Sequence, residues 1–355
     1  MDNMKVLVLG GTGAMGSHLV EILSNADIIT VVTTRKYRPS RNNIKYLQGN
    51  AHEMDFLYTI LEERWDAIID FMVYSTEEFK ARIELLLSAT AHYIFLSSSR
   101  VYADSKLPIT EESSRLLDVS KDLDFLSTEE YSLTKARQEN ILQNCRCRNW
   151  TIIRPYITYS EIRLQLGVLE KEYWLYRALH GRTIVFSNDI SSRYTTLTYG
   201  HDVARGIFKI IGDAQTFGEI FHITAKESCR WEDVLSVYLN VLEKRLGYKP
   251  KVLLLDKALN LKSKHLKYQV LYDRCFDRAF DNTKIKQFVD VDNFMNVELG
   301  LKKCIEAFLD NPQFGCINWR AEAIKDRKTG EQTSLSEILS FKQKIIYLLY
   351  RYIIF

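Results

Sequence analysis

The sequence predicts an α/β protein built on a doubly wound parallel sheet, with a smaller substrate lobe interleaved at its C-terminal side. Three observations carry this. Short apolar runs rich in β-branched residues recur through the first 155 residues without the in–out alternation of a half-exposed strand. Helix-length segments separate them. A glycine-rich turn follows the first run directly.

Taken in order, Lys5–Leu9 (KVLVL) reads as a buried strand and Ser17–Leu23 opens an apolar-periodic helix. Ile28–Thr33 is a second strand, Ile44–Leu47 a short third and Ala67–Val73 a fourth, followed by a helix through Leu87. Tyr93–Ser97 is a fifth strand, about Glu129 to Gln143 a helix, and Thr151–Arg154 a sixth strand. After Pro155 the rhythm changes. Residues 161–180 read as one long helix, Tyr194–Leu197 as strand, His201–Ile211 as helix, Phe221–Thr224 as a short strand and Arg230–Leu246 as helix. The expected organisation is a dinucleotide-binding domain over 1–155, with about 195–225 returning to it. A substrate lobe takes 156–194 and 226–310, and 311–355 form an extension with an apolar tail.

A chain of 355 residues is long enough for two lobes. Its 46% hydrophobic and 26% charged residues are those of a folded globular protein. A formal charge of +3 lacks the basic excess of a nucleic-acid binder. Six cysteines include no C-x-x-C pair, so free thiols in a reducing compartment and no metal site are expected. The N-terminal MDNMKVLVLGG has no signal-peptide pattern, and no run reaches the ~20 apolar residues of a membrane span. A soluble, cytoplasmic protein is the expectation.

Gly10-Gly11-Thr12-Gly13-Ala14-Met15-Gly16 joins the first strand to the first helix. Glycine lets backbone approach a pyrophosphate closely, and the helix N-terminus offers N–H groups to the anion. Gly10, Thr12, Gly13, Ala14, Met15 and Gly16 are therefore assigned to cofactor binding. The second strand ends Thr33-Thr34-Arg35-Lys36, without the carboxylate that bonds the ribose hydroxyls of NAD. Arg35 offers a fork of donors to a 2′-phosphate. NADP(H) is the preferred cofactor on this reading, with NAD(H) as the alternative.

Tyr131-Ser-Leu-Thr-Lys135 puts a phenol and an ammonium four residues apart, on one face of a helix. A neighbouring cation favours the ionised phenol, which can then exchange a proton with a carbinol oxygen. The fifth strand ends Leu96-Ser97-Ser98-Ser99-Arg100-Val101-Tyr102, where ligands of open α/β sheets bind. A serine hydroxyl there can orient a substrate carbonyl toward Tyr131.

These residues resemble the extended short-chain dehydrogenase/reductase family, in its nucleotide-sugar epimerase, dehydratase and reductase branch. The resemblance covers about residues 4–310. It rests on Gly10-x-x-Gly13-x-x-Gly16, Gln48-Gly49-Asn50, Asp66-x-x-x-Asp70, Ser97-Ser98-x-x-Val101-Tyr102, Tyr131-x-x-x-Lys135, Arg154-Pro155-x-x-x-Tyr159 and His201-Asp202-Val203-Ala204. It implies a Rossmann-type fold with Ser98, Tyr131 and Lys135 catalytic. It also implies Asn50 and Ala51 at adenine, Phe71, Met72 and Val73 along the cofactor, and Pro155 beside the nicotinamide. Ser98, Ser99 and Arg193 are the implied substrate contacts. The family's sugar dehydratases carry Asp-Glu where this chain has Ser99-Arg100, so dehydration is not expected. The implied activity is NADPH-dependent reduction of a keto-sugar on a nucleotide. A 4-epimerase retaining NAD is the alternative, and a non-catalytic dinucleotide-binding regulator or scaffold a third. A homodimer through the helix bearing Tyr131 is implied. The tail Lys342–Phe355 (KQKIIYLLYRYIIF) is expected to dock on protein or on a membrane surface.

Overall fold

The computed structural model describes residues 4–261 and 266–354. Met1–Asn3 of the leader reading and Phe355 of the tail lie outside them. The chain divides into two compact units. One comprises Met1–Ser160, Thr196–Glu227 and Arg278–Met295; the other comprises Glu161–Thr195, Ser228–Asp277 and Asn296–Phe355.

The first unit is a seven-stranded parallel sheet. Its strands are β1 (Lys5–Leu9), β2 (Ile29–Thr34), β3 (Ile44–Gln48), β4 (Trp65–Asp70), β5 (Thr90–Leu96), β6 (Trp150–Pro155) and β7 (Glu219–Ile223). Their order across the sheet is 7-6-5-4-1-2-3, with Leu9 registered on Asp70 and Ile223 on Pro155. Helices α1 (Gly16–Asn25), α2 (Met54–Leu61), α3 (Thr76–Ser88), α4 (Tyr131–Gln143) and α5 (Gly200–Ile210) flank it. The apolar runs are continuous because both faces are buried. Val6 and Val8 pack in one core with Leu19, Leu23, Val203 and Ile207. Leu7 and Leu9 point the other way, into a core with Leu57, Phe79, Ile83 and Leu86. A capping box starts α3: Ser75 Oγ accepts from the Glu78 amide, and Glu78 accepts from the Ser75 amide.

Arg278–Met295 belongs to this unit, where the sequence suggested the substrate lobe. Its hold is specific. Arg278 donates to the carbonyls of Ala103 (2.8 Å) and Tyr102 (3.0 Å), and Ile285, Val289 and Val291 enter the sheet core.

In the second unit, the single helix expected over 161–180 is replaced by a hairpin, Gln165–Leu166 with Leu169–Glu170, and then a helix, Lys171–Leu179. Gly167, at φ +59°, turns the chain there, and an added Cβ would meet the Phe186 ring at 2.7 Å. The stretch expected to be an extension packs within this unit. Arg177, wholly buried in the helix, reaches Glu322 (2.9 Å), Asp326 (2.7 Å) and Glu331 (2.9 Å). Among the described residues, no helix is long and apolar enough to cross a membrane.

Candidate active site

A cavity of about 260 Å³ lies at the C-terminal ends of β1, β2 and β4, lined by Gly10, Thr12, Thr33, Thr34, Arg35, Gly49, Asn50, Ala51, His52, Phe71, Met72 and Val73. The strand order reverses between β1 and β4, which is where open α/β sheets bind their ligands. Gly10, at φ +71°, begins the turn, and its amide donates to Thr33 Oγ1 at 3.1 Å. A Cβ on Gly16 would stand 2.7 Å from the Gly11 backbone, so glycine is required for the helix to close on the turn. A Cβ on Gly13 would meet nothing within 4 Å, which leaves open space beside the helix N-terminus. Met15 at the N-cap supplies no side-chain bond, and the first turn of α1 has no acidic residue. These features fit a dinucleotide pyrophosphate, with N–H groups and the positive end of the helix dipole toward the anion.

Polar groups behind the cavity wall hold its backbone in place. Asp70 accepts from the Met72 amide (2.9 Å) and the Tyr93 hydroxyl (2.8 Å), which fixes the Phe71–Val73 backbone. Burial pushes the Asp70 carboxyl above the ordinary carboxylate range, against those two bonds and the charge of Lys135. Asn50 accepts from the His52 amide and donates to Glu53, while the Ala51 carbonyl accepts from Arg82. Arg35 is exposed at the rim, and none of the lining residues is a carboxylate.

The catalytic candidates gather at the next strand. Tyr131 is the first residue of α4 and Lys135 lies one turn on. Lys135 is buried, and its ammonium donates to the carbonyls of Leu96 (2.8 Å) and Met72 (3.4 Å). It thus ties the end of β5 to the wall of that cavity. Burial pushes its pKa down to about 8, and the charges of Asp70 and Glu139 oppose that fall. Ser98 lies just past β5, and its Oγ accepts from the Arg100 amide at 3.2 Å. Ser99 is fully enclosed and its hydroxyl donates to the Arg154 carbonyl at 2.7 Å, so that donor is spent inside the fold. Pro155 closes β6. Arg193 belongs to the second unit, where it faces Asp277 at 3.9 Å.

Several further residues support the site. The Arg100 guanidinium sits 5.2 Å from the Tyr131 ring centroid and pairs with Glu130, whose carboxylate caps α4 through the Ser132 amide (2.7 Å). Beneath Ser98, the enclosed Glu139 carboxylate accepts from Ser97 Oγ (2.5 Å), from Arg154 twice (2.8 and 2.7 Å) and from Arg115 (3.2 Å). Gly200 backs the glycine-rich turn: a Cβ there would come within 2.3 Å of the Ala14 carbonyl. The one sequence signal for Gly200 was its place before the His201-Asp202-Val203-Ala204 motif.

Residues 6–224 match the model of the NAD dependent epimerase/dehydratase family. The chain is 23% identical to a 2'-dehydrokanamycin reductase of Streptomyces kanamyceticus over 66% of its length, and 31% identical to a UDP-glucose 4-epimerase of Lactobacillus helveticus over 31% of it. It spans 65% and 40% of the lengths of those two relatives. Among solved structures, it is similar to a UDP-glucuronic acid 4-epimerase of Bacillus cereus in complex with UDP-glucuronic acid and NAD. The TM-score is 0.65 at 17% identity, covering 86% of this chain and 99% of that one. The glycine turn, the sheet order and the Tyr131/Lys135 helix all fall within the matched residues, and the chain belongs to the NAD-dependent epimerase/dehydratase family.

Proposed function

We propose that this enzyme reduces a keto-sugar carried on a nucleotide, drawing on NADPH, with Tyr131 as the general acid. The observation that carries the reading is the cofactor cavity, which presents Thr34 and Arg35 at the end of β2 and no carboxylate. An arginine fork pairs with a 2′-phosphate, whereas a carboxylate would repel it. A reductase must release spent cofactor and draws on the reducing NADP pool.

When bound, the reduced nicotinamide supplies hydride. Ser98 orients the substrate carbonyl. Tyr131 delivers a proton to the carbonyl oxygen as the carbon is reduced, and the cations Lys135 and Arg100 stabilise the phenolate left behind. Gly10, Thr12, Gly13, Ala14, Met15 and Gly16 hold the pyrophosphate, Asn50 and Ala51 the adenine end. Phe71, Met72 and Val73 line the cofactor, and Pro155 lies beside the nicotinamide. Arg193 is the candidate for the substrate's phosphates.

The second reading is a 4-epimerase, favoured by the partial match to a UDP-glucose 4-epimerase and by the NAD bound in the similar Bacillus cereus enzyme. Absorbance of the reduced nicotinamide during turnover of a 4-keto nucleotide sugar separates the two. Loss of NADPH in step with product supports the reductase. Sugar interconversion with no net absorbance change and no need for added cofactor overturns it in favour of the epimerase.

A further inference from the structure

Residues 341–354 (FKQKIIYLLYRYII) carry three cations, Lys342, Lys344 and Arg351, and no carboxylate. The segment is helical and has two unlike faces. One is fixed in the second unit. Tyr347 is wholly buried, donates to Asp326 (2.7 Å) and accepts from the Thr333 amide (2.8 Å). Leu348 and Tyr350 pack with Trp319 and Ala323, and Arg327 donates to the carbonyls of Tyr350 (3.2 Å) and Ile354 (2.6 Å). The other faces solvent: Phe341 is 77% exposed and Ile353 65%, with Lys342, Ile345 and Tyr352 also exposed. Leu339, just ahead of the helix, is 95% exposed.

A clustered apolar surface on an anchored helix marks a contact site. We propose that this face docks on an anionic lipid surface. Aliphatic and aromatic side chains mixed with lysines suit the headgroup boundary, and among the described residues no helix is long and apolar enough to cross a membrane. Charge argues against a second copy of the chain as the occupant. A two-fold contact brings the patch against a copy of itself, so two lysine-bearing, carboxylate-free segments would face each other. Anionic headgroups answer both lysines.

The test is flotation of the full chain with vesicles of phosphatidylcholine and phosphatidylglycerol, and with phosphatidylcholine alone. The full chain is expected to float with the anionic vesicles and to be displaced by salt. Lys342→Gln/Lys344→Gln should weaken binding about 25-fold, at about fivefold per lysine near the surface. Phe341→Ser/Ile345→Ser/Ile353→Ser should weaken it more than tenfold, at about fourfold per buried methylene. The thermal midpoint should not fall, because these side chains are solvent-facing and the Tyr347 anchor is untouched. Tyr131→Phe should float like the parent, which separates this proposal from the reductase reading. Absence of flotation with anionic vesicles overturns the proposal, as does equal flotation of the triple-serine variant. A dimer that the triple-serine variant converts to monomer, with flotation unchanged, overturns it in favour of a second copy.

Discussion

Glu139→Gln is the most exacting test of the site's foundation. The carboxylate is fully enclosed and answers Arg154, itself 2% exposed, through two bonds of 2.7 and 2.8 Å. Glutamine keeps the size and one acceptor but leaves the Arg154 charge buried without its counter-ion. Breaking a buried pair from one side costs about 3–5 kcal/mol. At about 2–4 °C per kcal/mol for a domain of this class, the thermal midpoint should fall by about 6–20 °C. The apolar pair Glu139→Leu/Arg154→Met should be less destabilised than the sum of its single variants, with a coupling of about 1–3 kcal/mol, because no lone charge remains inside. Arg115 tolerates the change, since it is partly exposed and keeps Asp118 at 2.8 Å. Ser97 bonds Glu139 and Arg154 precedes Pro155, so Glu139→Gln should also lower turnover by roughly tenfold at temperatures where it stays folded. Scanning calorimetry of the parent, Glu139→Gln, the two apolar single variants and their double, with NADPH turnover at low temperature, gives the answer. A midpoint shift below about 2 °C for Glu139→Gln would refute the reasoning.

Three further outcomes are expected. Tyr131→Phe should bind cofactor normally and lose roughly 10²–10⁴-fold in kcat, measured by fluorescence titration and turnover; near-parental kcat would end its role as acid. Arg35→Ala should weaken NADPH more than NADH in parallel titrations, and equal losses would make Arg35 a surface residue only. Stability should fall on acidification through His92. Its Nδ1 accepts from the Gly212 amide (3.0 Å) and its Nε2 bonds Thr151 Oγ1 (2.8 Å), so the neutral ring is the form that fits. Burial pushes its pKa down from 6.5 to about 4, so between those values the unfolded chain binds the extra proton. That contribution is complete above pH 6.5 and lost toward pH 4. Urea midpoints should show this loss in the parent and less of it in His92→Gln, and parallel curves would refute it.

The fold was legible where chemistry is local. Lys5–Leu9 reads as a strand because five consecutive positions are buried or nearly so, and the turn after it reads as phosphate-binding because Gly10 takes a positive φ and Gly16 sits where backbone leaves no room for a Cβ. Tyr131 and Lys135 share a helix face by spacing alone. The hairpin at 165–170 was not legible. A single Gly167 inside an apolar-periodic stretch looks like a tolerated helix residue until Phe186 is packed beside it.

The sequence by itself thus determined the parallel sheet, the glycine turn that follows its first strand and the placing of Tyr131 and Lys135 on one helix, because each follows from neighbours within one strand or one helical turn. Only the tertiary structure decided what those residues rest on. Glu139 meets Ser97 from 42 positions away and Arg154 from 15, and His92 meets the Gly212 amide from 120. Lys135 donates to the carbonyls of Leu96 and Met72, both from distant strand ends. Such contacts join buried polar groups that must be satisfied once water is gone, and any of several serines, arginines or glutamates could have met the need. Periodicity records which face of an element is apolar. It does not record which distant element will supply the missing charge.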